Sequence, residues 1–563
     1  MEDITTLTLE KIFWRSTRIF SEQIAFSWVG GNPLTYNQVH DKVFEISSLL
    51  LRLGIRKGDK VAILSENCPN WGISYFAITT IGAVVVPVLP DFHQNEIHHI
   101  LKHSGCKGIF ISEKLYQKIE DATLEELNLR ILIDNFSVIP LETPREKLKN
   151  LLQEGSKEFA KIKDSALKLA GIKPAVISED DLAAIIYTSG TTGNSKGVSI
   201  THKNLVFDAL ATYKIQPLDQ NDRLISILPL SHTYECTLGF ILPFICGASV
   251  YYLKKPPTGR VLIPAMQKIR PTMILTVPLI IEKIFKTKIH PKFNSNIILR
   301  SLYKIPIFRI LLHQAAGRKL YRSFGGKLRF YGIGGALLSA EVEQFLRDAK
   351  FPYAIGYGLT ETSPLIAGSS PQKTKFRSTG YVIPGVNVRI EKKNPDDKDG
   401  EIQVKGENVM KGYFKNPEAT RDTFTKDGWF KTGDLGYLKN NRYLYILGRI
   451  KNIILGPSGE NIYPEEIEAV LNENDYVLES LVYKSEDKIV ARTFLNYELL
   501  DDEINKKNIS EKKIQEFKIK KMDEIKNFVN ERISVFSRIQ KIIEQSEPFE
   551  KTPTKKIKRY LYI

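Results

Sequence analysis

Three patterns in the sequence predict an α/β protein: a large N-terminal domain of two α/β subdomains with parallel-rich sheets plus a β-rich subdomain, then a small α+β C-terminal domain. Helix-like and strand-like runs alternate from about residue 10 to 180 and again from 181 to about 370, as layers of helices on parallel sheets require. From about 376 to 447 short strand-like pieces and turns dominate. The last stretch, after Arg449, carries a Lys- and Glu-rich segment, 501–545, with helical spacing and the look of a solvated face.

The elements follow in order. Lys60-Val-Ala-Ile-Leu64 and Gly82-Ala-Val-Val-Val-Pro-Val88 read as buried strands, and Trp71–Ile81 between them has helix length and apolar content. The charged segment 140–180 reads as a surface excursion. Leu182-Ala-Ala-Ile-Ile186 is a buried strand. The most apolar stretches, near 75–90 and 238–253, are broken by Pro and Gly and are too short to span a bilayer. In the β-rich part, Val386–Ile390 and Gly400–Lys405 are the clearest strands.

A chain of 563 residues with 42% apolar content can bury a core in each of three to four units. Cys68, Cys106, Cys236 and Cys246 show no metal spacing and read as reduced thiols, with a cytoplasmic location expected. Met1-Glu-Asp-Ile is acidic where a secretory signal needs positive charge. The net charge of +16 is uneven: from Lys283 to Ala340 there are twelve Lys or Arg and no Asp or Glu. A solvated face is one reading of that patch. Peripheral contact with an anionic membrane on its inner face is a second, because apolar residues are interspersed. Nucleic acid is the third, but no recognisable motif supports it and no nucleic-acid partner is expected.

The most informative stretch is Tyr187-Thr-Ser-Gly-Thr-Thr-Gly-Asn-Ser-Lys-Gly-Val198. A strand enters a run of Thr, Ser and Gly that ends in lysine. Glycines let successive N–H groups converge on an anion, hydroxyls add donors, and Lys196 adds a charge. It is not a Walker A loop, which needs Gly-Lys followed by Ser or Thr; here Ser195 precedes and Gly197 follows Lys196.

That string resembles the phosphate loop of the adenylate-forming enzymes, with Ser195 where the family often has proline. Further segments resemble the same family in order, so that the likeness runs from about residue 10 to 563: Pro229-Leu-Ser-His-Thr-Tyr-Glu235, Gly332-Ile-Gly-Gly-Ala336, Gly356-Tyr-Gly-Leu-Thr-Glu-Thr-Ser363, Trp429-Phe-Lys-Thr-Gly-Asp-Leu-Gly436, Gly448-Arg-Ile-Lys-Asn-Ile-Ile454, Gly459–Glu468 and Lys551–Arg559. The versions present look most like bacterial long-chain fatty acyl-CoA synthetases.

The resemblance implies ATP as substrate, Mg²⁺ as its ion and coenzyme A as the thiol. It implies nucleotide contacts from Thr188, Ser189, Gly190, Thr191, Thr192, Gly193 and Lys196, and an adenine pocket at Gly334, Gly335 and Ala336. Tyr357, next to Gly358, would stack on adenine, Thr360 would bond the α-phosphate, and Glu361 with Thr188 would face the metal. Asp434 and Arg449 would hold the ribose, and His232 would wall and orient the reacting carboxylate. The segment around His232 lacks the Asp that an amino-acid-activating domain carries, which favours a plain carboxylic acid. Lys556 would be the catalytic lysine, although Lys555 stands where many members have glycine. The implied domains are 1–448 and a mobile 453–563, joined by a hinge at 449–452 centred on Lys451. An acyl carrier protein as thiol acceptor, or an aryl or medium-chain acid, are the alternatives within the fold; a non-catalytic protein that uses its basic surface to bind membrane or nucleic acid is a remote one, against which the complete set of Glu361, Asp434, Arg449 and Lys556 argues.

Overall fold

The computed structural model describes residues 3–120, 126–140, 175–188, 195–293, 295–455, 461–486, 488–507, 509, 511–552 and 556–563. Two large sheets are built mainly from parallel strands. The first runs Tyr353–Ile355, Phe330–Ile333, Met273–Thr276, Arg223–Ser226, Ser249–Tyr252, Ile24–Trp28 and Leu34–Thr35 in spatial order, parallel up to the final antiparallel pair. The second has Leu182–Thr188, Val84–Val88, Lys60–Leu64, Cys106–Ile111 and Leu129–Leu132 as its parallel centre. Lys196–Thr201 and Gly412–Tyr413 extend one edge antiparallel. These central strands read as continuous apolar runs because both of their faces are covered.

Helix Pro69–Thr79 explains how the two sheets are held together. It is apolar around its whole circumference, and all but one of its residues are buried. Trp71 and Phe76 meet Phe240, while Phe76 also meets Phe13 and Phe244, at centroid separations of 4.5 to 5.9 Å. Gly72 is required there: a Cβ would sit 2.7 Å from the Phe240 ring.

The β-rich part is an antiparallel sheet in which Phe430–Lys439 lies between Tyr443–Arg449 and Gly400–Gly406, with Val386–Glu391 at the edge. The small C-terminal domain packs helices Pro464–Leu471, Tyr497–Lys506 and Glu511–Asn530 with a three-stranded sheet. Here one expectation is corrected. Segment 501–545 is not helical throughout, since Lys541–Gln545 is a strand parallel to Lys488–Leu495. Two adjacent β-branched residues, Ile542 and Ile543, favour that choice once a sheet edge is available. Most of the excursion at 140–180 lies outside the described residues. All four cysteines are buried and free. No helix among the described residues is long and apolar enough to cross a membrane.

Candidate active site

Parallel strands of both large sheets end at one cleft of about 2180 Å³. Thr188, Ser226, Val277, Gly334 and Tyr357 lie at or just beyond the carboxyl ends of their strands and line it, the usual ligand position in open α/β sheets. Gly335 and Ala336 are exposed on the same wall.

Thr188 and Lys196, at the two ends of the Thr/Ser/Gly string, face each other across an antiparallel pair. Ser189, Gly190, Thr191, Thr192 and Gly193 lie outside the described residues. Lys196 Nζ stands 5.1 Å from the centre of the Tyr413 ring, and the Tyr413 hydroxyl donates to Glu361 Oε1 at 2.9 Å. The strand Gly412–Tyr413 pairs with Lys196–Thr201, which fixes that ring beside the lysine. Tyr413 is a residue the sequence reading missed. Its signal was an aromatic after glycine in a short apolar run, which looks like any edge strand.

The turn bearing Thr360 and Glu361 is held from behind. Asp208, fully buried, accepts from the Leu365 N–H, and Thr237 Oγ1 donates to the Ser363 carbonyl. Burial pushes the Asp208 carboxyl well above the usual range. Gly358 admits no side chain, because a Cβ would lie 1.8 Å from the Pro364 carbonyl oxygen. Glu361 is tied again through its carbonyl, which accepts from the Met410 N–H at 2.8 Å.

Asp434 and Arg449 are cross-strand neighbours. Arg449 Nε lies 2.6 Å from Asp434 Oδ1, and the Tyr357 hydroxyl donates to Oδ2 at 2.8 Å. Burial raises the Asp434 pKa, against the lowering pull of Arg449, Tyr357 and Lys556. His232 is half-buried, with its Nε2 enclosed and lacking a hydrogen-bond partner among the described residues. Burial, reinforced by the charge of Lys556, lowers its pKa to about 4, so the ring is neutral near pH 7. Asn67 of the other sheet fixes the loop that carries it, donating to Ser226 Oγ at 2.8 Å and the Leu228 carbonyl at 2.6 Å, and accepting from the Leu230 N–H. Asn67 too was not singled out in the sequence.

Lys556 enters the cleft from the C-terminal segment. Thr552 and Lys556 bond each other, from Thr552 N–H to the Lys556 carbonyl and from Lys556 N–H to Thr552 Oγ1. Arg559 anchors the strip to Glu468 at 2.7 Å. The Lys556 side chain is open to the cleft yet enclosed by protein. Burial and Arg449 lower its pKa, while Asp434 and Glu361 raise it. Lys555 lies outside the described residues. Lys451 follows strand Tyr443–Arg449 in a short turn at the cleft's edge.

The AMP-binding enzyme family matches residues 13–414. The chain belongs to that family. Long-chain-fatty-acid–CoA ligase 5 of Mus musculus is 31% identical over 80% of this chain and 69% of its own length. A chloroplastic long-chain-fatty-acid–[acyl-carrier-protein] ligase of Arabidopsis thaliana is 26% identical over 84% of this chain and 74% of its own. For 4-coumarate–CoA ligase 1 of the same plant the figures are 27%, 94% and 87%. Among solved structures, ATP-bound MatB from Rhodopseudomonas palustris shares the fold at a TM-score of 0.75, 22% identity and 98% coverage of both chains. The protein is thus an adenylate-forming acid–thiol ligase, and its relatives differ in both acid and thiol.

Proposed function

We propose that this ligase activates a long-chain fatty acid with ATP, releasing pyrophosphate, and then transfers the acyl group from the acyl-adenylate to the thiol of coenzyme A, with AMP as the leaving group. The observation that carries the reading is the convergence of Lys556, from the far end of the chain, with His232, Glu361 and Arg449 at one cleft, Arg449 being paired with Asp434 behind it. A cleft of about 2180 Å³ exceeds the roughly 300–1,000 Å³ of a small-molecule site, which leaves room for a long second substrate.

Attack of a carboxylate on the ATP α-phosphate brings two anions together, so the obstacle is repulsion and alignment. Lys196 and Lys556 place positive potential along the phosphates without reorganising during the reaction. Asp434 accepts from the ribose hydroxyls and Arg449 steadies it, while Tyr357 offers its ring to adenine. Neutral His232 orients the incoming carboxylate without charging. Glu361, aimed by Tyr413, and the hydroxyls of Thr188 and Thr360 are hard oxygen donors that suit Mg²⁺. Among the described residues no group of three His, Cys, Asp or Glu could hold a metal by itself. When bound, Mg²⁺ would offset phosphate charge.

Thioester formation needs Lys556 out of the way of the thiol. In this reading residues 453–563 turn about 449–452, with Lys451 at the hinge, and the arrangement described here serves the first half-reaction. The test is pyrophosphate release across acids of graded chain length, with coenzyme A or acyl carrier protein as acceptor. A maximum at long chains with thioester only on coenzyme A is expected. Preference for an aromatic acid, or thioester only on the carrier protein, would replace this reading with one of its relatives' activities.

A further inference from the structure

The cation-rich stretch from Lys283 to Ala340 splits into two parts in the structure. Some of it is used internally: Lys286 bonds backbone carbonyls of the small domain and Arg329 pairs with Asp222. The middle of the stretch is different. Helix Ile297–Tyr303 buries no residue, and helix Pro306–Ser323 buries only His313, Gly317 and Leu320. Their outer surface carries Ile297 at 83% exposure, Ile298 at 68%, Ile307 at 66% and Leu311 at 53%, with Ile305 and Phe308 also exposed.

This face is built rather than frayed. Tyr303 stacks on Phe293 at 4.9 Å and meets His313 Nε2 through its hydroxyl at 3.0 Å. His313 Nδ1 in turn lies 2.8 Å from Asp348 on the body of the protein. The two helices are therefore riveted from behind while they hold apolar side chains outward. Water makes such a patch unfavourable, and one of this kind marks an interaction site. Arg300 and Lys304 are exposed among these apolar residues, and no acid lies in the sequence from Lys283 to Ala340.

We propose that the outer face of helices Ile297–Tyr303 and Pro306–Ser323 docks on an anionic lipid surface. Aliphatic side chains reach the boundary between headgroups and acyl chains, and the interleaved cations meet lipid phosphates. Charge complementarity selects this occupant. A second copy docking through the same face would set Arg300 and Lys304 against their own like charges. The inference does not rest on which acid the enzyme activates, and its failure would leave the ligase reading untouched.

The test is co-sedimentation of the full-length protein with vesicles of phosphatidylglycerol and phosphatidylcholine, or of phosphatidylcholine alone. Binding is expected only to the anionic vesicles, falling at least about tenfold as salt rises from 0.05 to 0.5 M. Ile298→Asp with Ile307→Asp, and separately Arg300→Gln with Lys304→Gln, should each weaken it about tenfold or more. Pyrophosphate release with a water-soluble acid should stay unchanged, showing that both variants fold. No vesicle binding at low salt would overturn the proposal. So would equal binding by the variants, which would assign it to overall charge, or loss in the variants only of self-association or of binding to acidic carrier protein.

Discussion

Replacing Lys286 with methionine is expected to unbalance the two half-reactions. Lys286 lies on the large domain, in the helical segment Phe285–Ile289, and its ammonium donates to the Asn472 and Val477 carbonyls of the small domain, the latter at 3.1 Å. Asn472 ends helix Pro464–Leu471, so the cation also meets the negative pole of that helix. A charge-assisted hydrogen bond contributes about 1.5–3 kcal/mol, and two are present here. Burial works against them, as the lowered Lys286 pKa records. A net docking contribution of about 2 kcal/mol, or about 30-fold in the docking equilibrium, is a fair balance of these terms. Methionine keeps the length and removes the charge. The assay measures acid-dependent ATP–pyrophosphate exchange and, separately, thioester formation from supplied acyl-adenylate. The ratio of the second rate to the first should rise, by up to about 30-fold, with the melting temperature little changed. Equal loss in both half-reactions, or an unchanged ratio, would refute the view that this contact holds the Lys556-in arrangement.

Lys556→Ala should slow adenylate formation by about 10²–10³-fold, the cost of one preorganised donor at developing charge, and leave thioester formation from supplied adenylate within about threefold; the same two assays read this directly. Tyr413→Phe removes the donor that aims Glu361, and should cut adenylation about tenfold while raising the apparent Mg²⁺ requirement, measured by titrating the ion in the exchange assay. The domain contact should also depend on pH through His290, which faces Asp475 of the small domain at 3.2 Å and Glu341 of the large domain at 3.7 Å, with Lys286 and Glu473 nearby. Burial disfavours its charge, but Asp475 and Glu341 outweigh burial and Lys286, so docking raises its pKa above the ordinary 6.5. The contribution is therefore fully present below about pH 6.5 and is lost as pH climbs through the raised value. The thioester-to-exchange ratio should rise across that window in the native enzyme and stay flatter in His290→Gln; identical profiles would exclude the residue.

What the sequence disclosed and what it hid divide along a physical line. Strands such as Lys60–Leu64 and Leu182–Thr188 announce themselves because burial on both faces demands unbroken apolar runs. Gly358 and the Thr360–Glu361 turn were legible because backbone contact within a few residues dictates them. Tyr413 and Asn67 were not, since each acts on a group reached through a different part of the chain and neither needs an unusual local pattern to do so. Lys541–Gln545 was misread for the related reason that the strand it pairs with lies about fifty residues earlier. Lys286 is the sharpest case. By composition it belongs with its cationic neighbours, yet it lies against carbonyls some 190 residues away. A run of like charge is thus not one object. In this chain it splits into a buried contact between Lys286 and the C-terminal domain and an outward apolar face, and only the tertiary fold decides which lysine joins which. That division makes the two separable by mutation: Lys286→Met should alter the half-reaction ratio without touching vesicle binding, and Arg300→Gln with Lys304→Gln should do the reverse.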